Sequence, residues 1–314
     1  MVKKGVLVPI SLSSRNIVNK KTVLTLKKTL LLCAIVTCGA LQAREADEEP
    51  QVKVGNLAVP GTVQPGAFLG FGQNIITQYE ALAVVYPSWF LGKNKSFAEI
   101  LPYIVYGLRD DLSILLGFPT AIRYKDDGHH SSGSADLIIQ LEYSPYSHHM
   151  PTVTNQISLV AALLLPTGSD CKNPPTGSGS PSFFLGVTAL HLATEWYCYT
   201  SYGALLTMQH DNNKSGNQFF YQAGVGKNIA YSPDKWILMW MVELYGWYEQ
   251  KNKINRIIDQ NSGFNMVILG PSLWFSTDRL ILQVGAAPVV SQHLFGTQLK
   301  NSVLVSCNIG CRFN

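Results

Sequence analysis

Charge is scarce in this chain: Asp, Glu, Lys and Arg supply 14% of its 314 residues, against about 25% in a typical soluble domain. A surface so poor in charge is not one that meets water all round. Long apolar runs are missing as well. After residue 43 no stretch approaches the roughly 18 apolar residues that a transmembrane helix needs, so no spanning helix is expected. Cysteine is sparse, with Cys171, Cys198, Cys307 and Cys311 left beyond residue 43. Cys307 and Cys311 stand four apart, about 13 Å along a strand, too far to bridge. No Cys or His spacing suits a metal and no Gly-rich phosphate loop occurs, so neither a metal site nor a cofactor is expected.

The basic residues are concentrated at the start. Lys20, Lys21, Lys27 and Lys28 precede an apolar run, Leu30 to Leu41, which ends in the small-residue pattern Leu41-Gln42-Ala43. This reads as a secretory signal peptide over residues 1–43. Those residues hold 7 of the 24 Lys and Arg and no acid, leaving 17 basic against 20 acidic residues, net −3. The apparent basicity belongs to the leader, and a nucleic-acid partner loses its main support. Residues 44–71 are acidic at first, then rich in Pro and Gly, and read as a periplasmic N-terminal extension without a core of its own.

What the chain has in plenty is apolar and aromatic: 46% hydrophobic, with 14 Tyr, 13 Phe and 6 Trp. The stretch from Ala98 to Tyr124 shows how these are arranged. Two apolar-rich runs flank Arg109-Asp110-Asp111. In the first, Ile100, Ile104, Tyr106 and Leu108 fall opposite Glu99, Tyr103 and Gly107. In the second, Leu112, Ile114, Leu116, Phe118, Ile122 and Tyr124 fall opposite Ser113, Gly117 and Arg123. Alternation of this kind makes an antiparallel hairpin with one apolar face.

The pattern repeats to the C-terminus. Twelve strands are expected over residues 72–314: the first near 72–86, the hairpin just described, and others near 134–144, 155–165, 182–193, 196–209, 217–230, 235–249, 264–276, 279–290 and 301–313. Most exceed the roughly 9–11 residues with which a tilted strand crosses a bilayer. Tight polar turns (Arg109–Asp111, Thr194-Glu195, Ser232–Asp234, Thr277-Asp278) alternate with longer connections at 87–96, 125–133, 166–181, 210–216, 250–263 and 291–300. The connection 145–154, with His148-His149, breaks that rule. Short turns at one end and long loops at the other characterise outer-membrane barrels, with the short set periplasmic. In hydrocarbon every backbone N–H and C=O must be paired, and a sheet achieves that only by closing. The expected fold is therefore all-β: a closed, up-and-down antiparallel barrel in the outer membrane of a Gram-negative cell. Its partners are outer-membrane lipid and, through a last strand ending in Phe313, the barrel-assembly machinery.

The order of several motifs resembles an outer-membrane family named for the "MetA pathway of phenol degradation", grouped as transporters. The likeness rests on Tyr106-Gly107-Leu108-Arg109-Asp110 with Leu112, on Gly117-Phe118-Pro119, and on Gly133-Ser134-Ala135-Asp136-Leu137 with Leu141-Glu142-Tyr143. Leu165-Pro166-Thr167-Gly168, Glu243-Leu244-Tyr245-Gly246 and Gly270-Pro271-Ser272-Leu273 complete it. Glu142 stands where that family usually has Lys, and Phe313 is penultimate rather than last. The resemblance implies an outer-membrane location and passage of small hydrophobic or aromatic molecules.

By parity Glu80, Glu99, Arg123, Glu142 and Glu243 point into the barrel, where charges either tune selectivity or pair to fill the interior. Glu243 and Arg123 are expected to help set conductance. The aromatics Trp196, Tyr197, Tyr199, Trp236, Trp240, Trp247 and Trp274 read as interfacial girdles. Gly128–Gly133, with His129, His130 and Ser131, reads as a loop tip rather than a hydrolase site, and the chain is expected not to be an enzyme. Three readings follow in order: a porin-like channel or transporter passing small solutes, a structural or surface-interaction barrel with a filled lumen, and a hydrolase.

Overall fold

The computed structural model describes residues 54–210 and 212–313; the expected signal peptide lies outside them. Twelve antiparallel strands form one closed ring: β1 (Ala81–Gly92), β2 (Lys95–Arg109), β3 (Leu112–Gly117 and Thr120–Asp126), β4 (His129–Ser134 and Leu137–Met150), β5 (Val153–Leu165) and β6 (Ser182–Ala193). They continue as β7 (Trp196–Thr207), β8 (Gln218–Ser232), β9 (Trp236–Glu249), β10 (Phe264–Thr277), β11 (Leu280–Leu294) and β12 (Asn301–Phe313). β1 pairs with β12, from Ala81 opposite Phe313 to Gly92 opposite Asn301, and this seam leaves the sheet without an edge.

The side chains are arranged inside out relative to a soluble protein. Ile104, Leu185, Tyr202 and Ile309 are 51%, 56%, 58% and 51% exposed on the outer wall, while Ser201, Gln283, Glu142 and Glu243 are buried. Apolar side chains on the outside are stable only against hydrocarbon, which is what the alternation in the sequence encodes.

One end of the ring, the turn end, carries the short connections Asp110-Asp111, Pro151-Thr152, Thr194-Glu195, Pro233–Lys235 and Asp278-Arg279. The expected long connection around His148-His149 is strand, turning at Pro151-Thr152. At the opposite, loop end, two expected loops are also tight. Residues 87–96 turn at Lys93-Asn94 and residues 125–133 at Asp127-Gly128. Asn94, Asp127 and Gly128 have positive φ (58°, 45° and 84°), the left-handed geometry that hairpin turns demand and these residues tolerate. The long connection 166–181 is pinned rather than loose: Asp136 accepts from Gly168 N (3.0 Å), Ser178 N and Ser178 Oγ (both 2.7 Å).

β3 departs from its expected pattern. Pro119 interrupts it, since proline has no N–H for the ladder, and a bulge follows. Ala98 pairs with Arg123 but Glu99 pairs with Ala121, so Ile122 is an extra residue. A one-residue insertion exchanges the faces of everything beyond it. Arg123 is therefore on the outer wall and exposed, not in the lumen, and Tyr124 turns inward.

The first strand begins at Ala81 rather than 72. Of the described residues before it, 54–71 belong to the expected extension and 72–80 to the expected first strand. Both lie against the inner wall of the ring, with Leu57, Val59, Val63 and Ile76 sharing a core with Leu82 and Ile237.

Candidate functional site: a plugged lumen and the cavity beside it

Residues 54–80 form a plug with both legs at the turn end. The incoming leg is fastened by Asn56, whose N–H donates to Thr194 O (2.7 Å) and whose Nδ2 donates to Ala193 O (2.9 Å). Asp234 N donates to Ala58 O (2.8 Å). The outgoing leg is fastened by Ile76 N to Ser113 Oγ (3.1 Å), Gln78 N to Asp110 Oδ1 (2.9 Å) and Tyr79 N to Gly107 O (2.9 Å). Between the legs the chain climbs to mid-barrel. It has only two single 3-10 turns, Gly55–Leu57 and Gly61–Val63, so most of its backbone N–H groups need partners on the wall.

Two inward-facing carboxylates supply them at the apex. Glu243 of β9 takes Phe68 N with both oxygens (3.0 and 2.9 Å), Leu69 N (3.0 Å), Tyr199 Oη (2.7 Å) and Ser272 Oγ (3.1 Å). Glu142 of β4 takes Asn74 N (2.7 Å), Asn74 Nδ2 (2.6 Å) and Gln140 Nε2 (2.7 Å). Each is 1% exposed. A carboxylate removed from water is tolerable only when hydrogen-bonded in this way, and its charge roughly doubles the strength of each bond. Phe71 O accepts from Thr188 Oγ1 (2.7 Å), and Tyr197 Oη donates to Gln73 Oε1.

The wall is shaped to receive the apex. Gly186 and Gly203 pair across β6 and β7, and a Cβ on either would lie 2.5 or 2.8 Å from the Phe71 ring. On the plug itself, Gly72 has φ +75°, and a Cβ there would meet Thr188 Oγ1 at 2.4 Å.

A cavity of about 670 Å³ runs beside the plug. Leu82, Trp274 and Ile281 line it near the turn end, Tyr86, Tyr103 and Asn308 at mid-height, and Phe90, Phe97, Tyr124 and Trp247 towards the loop end. Glu99 is the one charged side chain on its described lining, accepting from Tyr124 Oη. Trp247 Nε1, Gln73 Nε2 and Asn308 Oδ1 are buried with no hydrogen-bond partner among the described residues. An aromatic wall with a few convergent polar atoms is the usual form of a small-molecule site.

Of the five candidates, Glu99, Glu142 and Glu243 face inward. Glu80 sits at the foot of β1, bonded to Arg312 and Thr62. Arg123 is the exception described above. Several expected girdle aromatics belong to the interior instead: Tyr197, Tyr199 and Trp274 are 0%, 4% and 3% exposed, and Trp247 lines the cavity, whereas Trp196 (45%) and Trp240 (39%) do face outward. The wall contacts of the plug were not read from sequence: Phe68 and Phe71 fell in the expected extension, Gln73 and Asn74 in the expected first strand.

No family model matches the chain, and no curated protein matches it. Among solved structures, an outer membrane channel from Pseudomonas putida F1 superposes with a TM-score of 0.64 at 15% identity, covering 80% of this chain and 100% of that one. The fold is that of an outer-membrane β-barrel. The NanC porin (TM-score 0.45, 12% identity, 74% of this chain and 99% of that one) and LpxR from Salmonella typhimurium (0.43, 9%, 74% and 99%) superpose too loosely to add to this. For an outer-membrane barrel, irregular backbone at membrane depth is allowed only where protein buries it, and that is where the plug lies.

Proposed function

We propose that this barrel resides in the outer membrane as a passive channel or transporter for small hydrophobic or aromatic solutes, with the plug narrowing its periplasmic half. The observation that carries the reading is the aromatic-lined cavity beside the plug, whose lining extends from Phe90 and Phe97 towards the loop end to Leu82 and Ile281 near the turn end. The motif-order resemblance to the phenol-pathway transporter family points the same way. The test is uptake into proteoliposomes holding the full chain, with 1-naphthol and maltose as matched probes. Faster uptake of 1-naphthol over protein-free vesicles supports the reading; no acceleration of either probe ends it.

That negative result would favour the second reading, a surface-interaction barrel with a filled lumen, for which the plug's many wall contacts speak. An enzymatic role has little to stand on. Ser131 Oγ donates to Pro174 O (2.6 Å), so its hydroxyl is committed to a neighbouring loop.

A further inference from the structure

The bulge in β3 leaves cationic side chains on the outer wall, where solute passage has no use for them. Arg123 is exposed and Lys125 follows it on the same face; Lys125 pairs with His130 of β4, itself exposed. Lys172 reaches this corner from the pinned loop, donating through Nζ to Ser132 O (2.5 Å). Among the described residues no carboxylate lies within ion-pair distance of Arg123 or Lys125. The nearby Asp126 is turned to Lys95 at 3.6 Å.

Directly towards the turn end on the same outer wall come Ile122 (50% exposed), Phe118 (51%) and Leu116 (39%). Cations on a lipid-facing wall are costly at mid-bilayer and nearly free at headgroup level. The step from Phe118 and Ile122 to Arg123 and Lys125 therefore marks the outer edge of the hydrocarbon, where anionic lipids carry their phosphates. A guanidinium matches a phosphate with two parallel hydrogen bonds, and a neighbouring ammonium adds charge without geometric demand.

The geometry points to a lipid-phosphate site on the barrel's outer wall: Arg123, Lys125 and His130 hold the phosphate of a lipid A-type molecule, a phosphorylated, multiply acylated glucosamine disaccharide, whose chains lie over Phe118 and Ile122. A lipid fits better than a protein partner because the charged cluster continues into an apolar wall already committed to acyl chains. The site rests on the outer-membrane location but not on solute passage.

Native mass spectrometry of the full chain in detergent tests it, with bisphosphorylated lipid A, the same lipid A dephosphorylated, and glucosamine 1-phosphate as probes. The expected result is a one-to-one adduct with phosphorylated lipid A, weakened about tenfold by dephosphorylation and about tenfold by the double substitution Arg123→Gln, Lys125→Gln. Equal adducts with both lipids, or an unchanged adduct in the variant, overturn the site. Competition by glucosamine 1-phosphate at the same concentration as the lipid also overturns it, reducing it to a free-phosphate site. A dimer peak lost in the variant would assign the patch to a second copy and overturn the lipid. If the double variant does not fold, the comparison of the two lipids on the unaltered chain still decides.

Discussion

Both carboxylate oxygens of Glu243 take the backbone N–H of Phe68, at 3.0 and 2.9 Å, across 175 residues of sequence. One wall residue thus holds the summit of the plug by its main chain, whatever side chains the plug carries. Glu243→Ala leaves the N–H groups of Phe68 and Leu69 buried and unpaired, at about 1–3 kcal/mol each. The expected outcome is a plug that leaves its seat: single-channel conductance in planar bilayers rises, and limited proteolysis cuts within residues 54–80 while the barrel persists. Unchanged conductance together with full protection would show that Glu243 does not hold it.

Filling the dent beneath Phe71 should act in the same direction by a different route. A valine in place of Gly186 puts atoms where the Phe71 ring already lies, an overpacking that costs about 1–3 kcal/mol. The variant should melt earlier by circular dichroism. Combined with Phe71→Ala it should recover most of the loss, because the smaller side chain vacates the space. No recovery in the double variant would mean that the clash lies elsewhere.

Acid should loosen the foot of the plug. Burial alone would raise the Glu80 carboxyl, but hydrogen bonds from Arg312 and Thr62, with the guanidinium's charge, outweigh it and hold it below the usual glutamate value of 4.5. A carboxyl lowered on folding contributes stability that is complete above 4.5 and fades as pH falls through the folded value. Melting temperature should thus drop below about pH 4.5, and in Glu80→Gln that part of the acid dependence should vanish. Parallel acid limbs in the two proteins would refute the linkage.

Selectivity should follow which charge faces the cavity. Glu99→Gln is expected to shift the reversal potential in a salt gradient towards anions, since Glu99 is the charged group on the described lining. Arg123→Gln is expected to leave both conductance and reversal potential as they were. A shift with Arg123→Gln, or none with Glu99→Gln, would contradict the placement of these two side chains.

The ring was legible because its signal is local and repeated: period-two alternation in strand after strand, punctuated by Asp-Asp, Pro-Asp and Asn or Gly turns. Trp274 and Tyr197 show a reading that parity already contained. Each shares a face with a buried serine, Ser276 two positions on from Trp274 and Ser201 four positions on from Tyr197, and neither belongs on a lipid girdle. Arg123 was misplaced because parity counts survive only while the strand has no extra residue, and Ile122 is one. The plug left no periodic trace. Its seats are single side chains, Glu142 68 residues from Asn74 and Glu243 175 from Phe68, and nothing in the local sequence marks such a pairing.

The two legs of the plug part company at the same rim, one beside Thr194 and the other beside Asp110. A finger bent back on itself can be withdrawn without being threaded. Clearing the bore therefore requires no rung of the surrounding ladder to open, only the release of side-chain grips such as those of Glu243 and Glu142 and of the few main-chain bonds that tie the legs to the rim. Occupied and empty forms of this barrel would share the same intact wall.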